Sequence, residues 1–257
     1  MRRLLFAFLA GLMVLASASP AGAVTDGVAD AGEHPYVGLA VFYNANGAPT
    51  HRCTGTMISA TVFLTAGHCT EGASSAQVWF DDYVQRADDY YPWAGGYIGT
   101  PYTHPNFVWS LPNTSDVGVI VLKKKPGVGW AELAPEGTLD SMATERGQQE
   151  TWFTVVGYGL QQIRPEELAD TQRLQAEVQL INLRNALTDG YNIHHSNAPG
   201  TGGGTCFGDS GGPVFLNGTS TIVGITSFGL NGNCVGSGFA YRVDIANTLN
   251  WVGEYLP

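Results

Sequence analysis

Short runs of β-branched and aromatic residues, each closed by a glycine-rich turn, recur along almost the whole chain and point it toward an all-β architecture. Runs of this kind at 38–43, 57–65, 77–80, 117–122, 153–158, 221–227 and 238–243 read as strands. Between 172 and 181, Leu174, Ala176, Val178 and Leu180 alternate with other residues, which gives that strand one apolar face. Only the tail changes period: Ile245, Leu249, Val252 and Leu256 fall at helical spacing, with Asp244 placed to cap the N-terminus. Many short strands and a single terminal helix imply barrels or sandwiches. The 34 glycines follow no strict three-residue period, which excludes collagen. Residues 123–135, with Lys123, Lys124 and Lys125 followed by prolines and glycines, read as a linker between two halves.

The charge balance narrows the function classes. Lys and Arg number 12 against 22 Asp and Glu, a formal charge of −10, so the chain has no electrostatic reason to hold nucleic acid or an anionic membrane. An aromatic content of 11% argues against disorder. Residues 1–23 have the anatomy of a secretory signal: Arg2 and Arg3, an apolar run from Leu4 to Ala16, and the cleavage pattern Ala21-Gly22-Ala23. The expected mature chain is secreted and starts at Val24. It keeps Cys53, Cys69, Cys206 and Cys234, an even count that in an oxidising compartment implies two disulfides with three possible pairings.

The chemistry concentrates at Gly208-Asp209-Ser210-Gly211-Gly212-Pro213. Glycines around a serine leave its hydroxyl and backbone amide open to a substrate. The pattern also fits the G-x-S-x-G elbow of α/β-hydrolases, but that fold places its histidine after the serine. Here all 6 histidines precede Ser210. Leu64-Thr65-Ala66-Gly67-His68-Cys69 ends an apolar run, and Asp116 heads the very apolar segment 117–122, where a buried carboxylate needs strong donors. The order is therefore His, Asp, Ser. The acid-first order of subtilisin would require Asp26 or Asp30, and neither heads such a segment.

Together, T-A-G-H-C at 65–69, Asp116 and G-D-S-G-G-P at 208–213 resemble the chymotrypsin/trypsin family of serine proteases, in its short secreted bacterial form. Val155-Val156-Gly157-Tyr158-Gly159 and the segment 238–243 are looser landmarks of the same resemblance. It implies two six-stranded antiparallel β-barrels with a C-terminal helix, residues 24–130 carrying His68 and Asp116, and residues 131–257 carrying Ser210. It also implies disulfides Cys53–Cys69 and Cys206–Cys234, and a monomer that cuts proteins or peptides without cofactor or metal. In such an enzyme His68, Asp116 and Ser210 act as the triad, with the amides of Gly208 and Ser210 as the oxyanion hole. Val24 would be the activating N-terminus and Asp209 its partner.

By the same resemblance, Gly204 is the pocket floor, and Thr205, Ser227, Phe228, Gly229 and Gly238 complete the substrate site. With no acid at 204, trypsin-like specificity is not expected. Glycines at 229 and 238 suggest a pocket open to aromatic or large apolar side chains. The rival readings are a non-catalytic binding protein on the same fold and an esterase with the same triad. Asp81-Asp82 and Asp88-Asp89 read as a solvated acidic patch, His51 and His104 as surface groups, and His194-His195 lacks the spacing of a helical zinc pair.

Overall fold

The computed structural model describes residues 24–84, 93–142, 150–161, 171–198, 200 and 202–257. The leader and the acids at 88 and 89 lie outside these residues. After the short β1 (Val28–Ala29), six strands follow: β2 (Val37–Tyr43), β3 (Pro49–Met57), β4 (Val62–Thr65), β5 (Ser75–Trp79), β6 (Tyr97–Thr103) and β7 (Gly118–Leu122). One helical turn, α1 (Gly67–Thr70), lies between β4 and β5. The second half holds β8 (Glu132–Leu133), β9 (Trp152–Gly157), β10 (Leu174–Asn182), β11 (Asn192–Asn197), β12 (Pro213–Leu216), β13 (Thr221–Gly229) and β14 (Gly236–Arg242), and ends in α2 (Ala246–Gly253).

The first six strands close into a barrel in the order β2-β3-β4-β7-β6-β5. The second set runs β10-β11-β14-β13-β12-β9, and pairing of β9 with β10 closes it. Both barrels are antiparallel and share one strand order, so closure leaves neither with a free edge. β1 adds to β10 with Val28 opposite Gln175, and β8 runs parallel to β13 with Thr221 opposite Glu132. On β10 the expected face is the buried one: Leu174, Ala176, Val178 and Leu180 enter a core with Phe153, Val155, Ile193 and Val223.

Two expectations are corrected, and some strands carry no sequence signal. Residues 57–65 are not one strand, because 58–61 turn the chain between β3 and β4. The polar strands β6 and β11 and the first half of β3 carry no apolar period, so the pattern did not reveal them. Asp244 does not cap α2. Its carboxylate accepts from Arg242 at 2.8 Å and from the Leu139 amide at 2.8 Å, and Ile245 stands at the cap without a side-chain bond.

The two barrels are pinned by polar groups that need partners away from water. Arg173, fully enclosed just before β10, donates to Asp30 at 2.9 Å, to the Val37 and Phe80 carbonyls at 3.0 Å each, to Tyr158 Oη at 3.1 Å and to Asp82. Asp82 is thus an ion-pair partner of Arg173, while its side chain stays 54% exposed. The Tyr158 hydroxyl donates to the Asp81 carbonyl at 2.7 Å. Asp30 also accepts from the ring and backbone nitrogens of His34. Burial pushes the Asp30 carboxyl up, but the bonds from His34 and Arg173 outweigh it and hold the pKa below its ordinary value.

Candidate active site

The cleft between the barrels, about 500 Å³, is lined by residues of both, including His68, Ser210, Phe207 and 226–229. His68 sits in α1, which the Cys53–Cys69 disulfide ties to β3. Asp116 lies just before β7 and is 0% exposed. It accepts three hydrogen bonds: His68 Nδ1–H at 2.9 Å, the His68 amide at 2.8 Å and Ser227 Oγ–H at 2.5 Å. A carboxylate accepts only, so the His68 proton is on Nδ1 and the lone pair of Nε2 is left for the cleft. Ser115, with φ +46°, turns the chain sharply before the acid. Among the described residues no hydrogen bond joins Ser210 to His68; such contacts often tighten only with substrate.

The loop that carries Ser210 is held from the other barrel. The Thr54 amide donates to the Ser210 carbonyl at 2.8 Å, and Thr54 Oγ1 donates to the Gly208 carbonyl at 2.8 Å. The Tyr158 amide in turn donates to Thr54 Oγ1 at 3.1 Å. Thr54 has no motif around it and was invisible to sequence reasoning. Gly208 adopts φ +97° and Gly211 φ +80°, both in the left-handed region, and a β-carbon at 211 would collide with Thr65. The result turns the amides of Gly208 and Ser210 away from every protein acceptor among the described residues.

Asp209 is as buried as Asp116 but has fewer donors. Among the described residues it accepts only from the amides of Gly159 and Cys206, each at 2.8 Å. Burial pushes its pKa up to about 7, against those two bonds and the charge of Arg52. Gly157 and Gly159 leave the room it needs, because a β-carbon at 159 would stand 2.5 Å from the carboxylate. Val24 is also fully buried, in the core of the second barrel, and Asp209 takes neither of these bonds from it.

The substrate end of the cleft departs from expectation. Cys206 is bonded to Cys234, and no Asp or Glu lines the cleft among the described residues. Gly229 leaves open space, its nearest neighbour to an added β-carbon being 3.8 Å away. Gly238 does not. A β-carbon there would collide with the His195 ring and lie 2.6 Å from Asn197 Oδ1, because side chains of β11 already fill that space. Gly204 backs onto Asn197 in the same way. His51 lines the cleft and His104 is buried against Trp251, so neither is a free surface group. Trp109, 60% exposed, lies over the His68 ring with centroids 5.3 Å apart.

A family model described as "Trypsin" matches residues 25–252. The chain belongs to the trypsin family of serine endopeptidases. Within that family it is 28% identical to serine protease 1 of Drosophila melanogaster, over 91% of this chain and 85% of that protein. Brachyurin of Leptuca pugilator is 33% identical over 71% of this chain and 77% of its own length. A solved structure titled HL collagenase superposes with TM-score 0.68 at 20% identity, covering 87% of this chain and 94% of that one, a likeness of fold. The family acts on proteins, and two disulfides are consistent with an oxidising compartment.

Proposed function

We propose that this trypsin-family chain is a secreted endopeptidase in which Ser210, His68 and Asp116 carry the reaction. Ser210 Oγ attacks the scissile carbonyl carbon while His68 Nε2 takes its proton. The carbonyl electron pair moves to oxygen, where the amides of Gly208 and Ser210 receive the charge. The pair returns, the C–N bond breaks, and His68 gives its proton to the leaving amine. Water repeats the sequence on the acyl-enzyme and frees Ser210. Asp116 keeps the imidazole in the Nδ1–H tautomer and faces the charge that forms on it, and Ser227 helps hold that acid.

The observation that carries this reading is the three-donor arrangement around Asp116, which aims His68 Nε2 into the cleft that Ser210 shares. Since one chain supplies every member, we read the enzyme as a monomer. Residues 24–130 and 131–257 are read as its two units, a division supported by the pairing of β8 with β13. Phe207 and Phe228 in a cleft without carboxylates support an aromatic or large apolar P1 residue. The relatives reported above from named organisms are animal proteases, so the narrower assignment to the short bacterial group has no support from them.

Activation is assigned to cleavage before Val24. Val24 holds φ +72°, a strained value for a β-branched residue while a peptide carbonyl precedes it. Cleavage removes that carbonyl and creates an ammonium, a cation that could pair directly with the Asp209 carboxylate. Signal peptidase would make this cut, so the active enzyme starts at Val24. The test is the intact mass of the secreted protein after a serine-directed phosphonate, beside Ser210→Ala. One adduct on the wild type alone, on a chain that starts at Val24, is the expected result. No adduct on folded protein would favour the binding-protein reading, and ester turnover without amide turnover the esterase.

A further inference from the structure

Three asparagines stand directly before a glycine: Asn46, Asn217 and Asn231. Glycine has no β-carbon to cover its own backbone nitrogen, so that nitrogen can attack the asparagine carboxamide wherever the fold lets them meet. The fold treats the three pairs differently. At 46–47 the Gly47 N–H is engaged by the Asn44 carbonyl at 2.9 Å, and Gly47 is held in a turn at φ +74°. At 217–218 the carboxamide is drawn toward β9, its Oδ1 accepting from Thr154 Oγ1 at 3.3 Å.

Asn231 combines what the other two lack. Its side chain folds back over the residues that follow it. Oδ1 accepts from the Asn233 amide at 3.2 Å, and Nδ2 donates to the Val235 carbonyl at 2.8 Å. An Asx turn of this kind curls the carboxamide over the peptide of residue 232. The Gly232 N–H has no acceptor among the described residues, and an added β-carbon there would meet nothing within 4 Å. The Asn233 N–H that holds Oδ1 is also placed to receive charge arriving on that oxygen. Asn231 itself lines the cleft, in which no Asp or Glu stands among the described residues.

We propose that Asn231-Gly232 is a self-modification site that, with water as co-reactant, becomes an aspartyl or isoaspartyl residue at the cleft. The Gly232 nitrogen gives its proton to hydroxide and attacks Asn231 Cγ. The N–Cγ bond forms, the Cγ–Nδ2 bond breaks, and ammonia leaves with a proton from water. Water then opens the cyclic imide. Breaking the new N–Cγ bond gives aspartate, and breaking the bond from that nitrogen to the Asn231 main-chain carbonyl carbon gives isoaspartate. Aspartate puts an oxygen where Nδ2 donated, so acceptor faces acceptor at the Val235 carbonyl and the clamp on 231–235 opens. A cleft without carboxylates gains one. That consequence for substrates rests on the endopeptidase reading; the modification itself does not.

The test starts from folded, disulfide-bonded Ser210→Ala protein, which cannot digest itself, aged at mildly alkaline pH. Peptide mass mapping reads conversion at each site, and enzymatic methylation of isoaspartyl groups identifies the product. Asn231 should convert ahead of Asn46 by about fivefold or more, the scale of the hydrogen bond that Gly47 must break. In denaturant the sites should converge, and Gly232→Val should slow Asn231, because a branched side chain shields the nitrogen. Asn231 matching or trailing Asn46 in the folded protein overturns the site. Asn231→Asp, shown folded by its melting transition, reads the consequence. It should raise kcat/KM on an arginine peptide over the matched phenylalanine peptide by about threefold, the scale of an exposed ion pair. An unchanged ratio, with both peptides cut, overturns the effect on the cleft. No cleavage and no phosphonate adduct on Ser210 overturns the endopeptidase reading and leaves the mapping result standing.

Discussion

Asp116 and Asp209 are the same residue type at the same depth, one at the head of a strand in the first barrel and the other in a loop of the second. Asp116 has a ring N–H, a backbone N–H and a hydroxyl directed at it from two segments. Asp209 has two backbone amides and a pKa raised to about 7. Burial alone therefore does not set what a carboxylate does; the number and charge of its donors decide that. Asp30 makes the third case, with a buried guanidinium and a histidine holding its carboxyl below the ordinary value. Under the proposed mechanism, Asp116 is complete as it stands and Asp209 waits for the new N-terminus.

The sharpest way to break the comparison is Asp116→Asn. An amide facing His68 favours the wrong tautomer, and kcat should fall by about 10⁴-fold on a peptide substrate. Arg173→Met should cost about 3–5 kcal/mol in denaturant unfolding, since it strands Asp30 without its buried partner. Adding Asp30→Leu should recover much of that loss if the pair is what matters.

Asp209→Asn comes next, with an expected drop of about 10²-fold in kcat through a disordered oxyanion loop. A loss under threefold would mean that Asp209 needs only its two amides. The pH dependence separates the same alternatives. Asp209 binds its proton more tightly folded, at about 7, than at the ordinary 3.8. That contribution to stability is present below about pH 4 and lost as pH climbs through about 7. A chain extended before Val24 should therefore melt roughly 5 °C lower at pH 7.5 than at pH 5, and Asp209→Asn should flatten the difference. Ser227→Ala is the smallest effect, about tenfold in kcat, because His68 still bonds Asp116.

The strands with an apolar period were legible because burial on one face forces alternation; β10 follows its sequence face residue by residue. β11 was not legible. Asn192, His194, His195, Ser196 and Asn197 look like a loop, and they form a strand because β10 and β14 supply its hydrogen bonds. The reading of Gly238 as an open wall failed for the same reason, since what fills its space comes from that unseen strand. Nor does any internal repeat announce that the two barrels share a strand order, because closure constrains which backbone edges meet and not which side chains are used.

The sequence by itself determined the chemistry on offer: the order of His68, Asp116 and Ser210, the glycines that free the serine loop, and cysteines even in number. Those are local properties of residue type and spacing, readable along the chain. Tertiary structure alone decided which acid receives which donors. Ser227 reaches Asp116 across 111 positions, Gly159 reaches Asp209 across 50, and Thr54 holds the Gly208 carbonyl from 154 positions away. Hydrogen bonds act over a few ångströms of space, so only a folded chain can assign them.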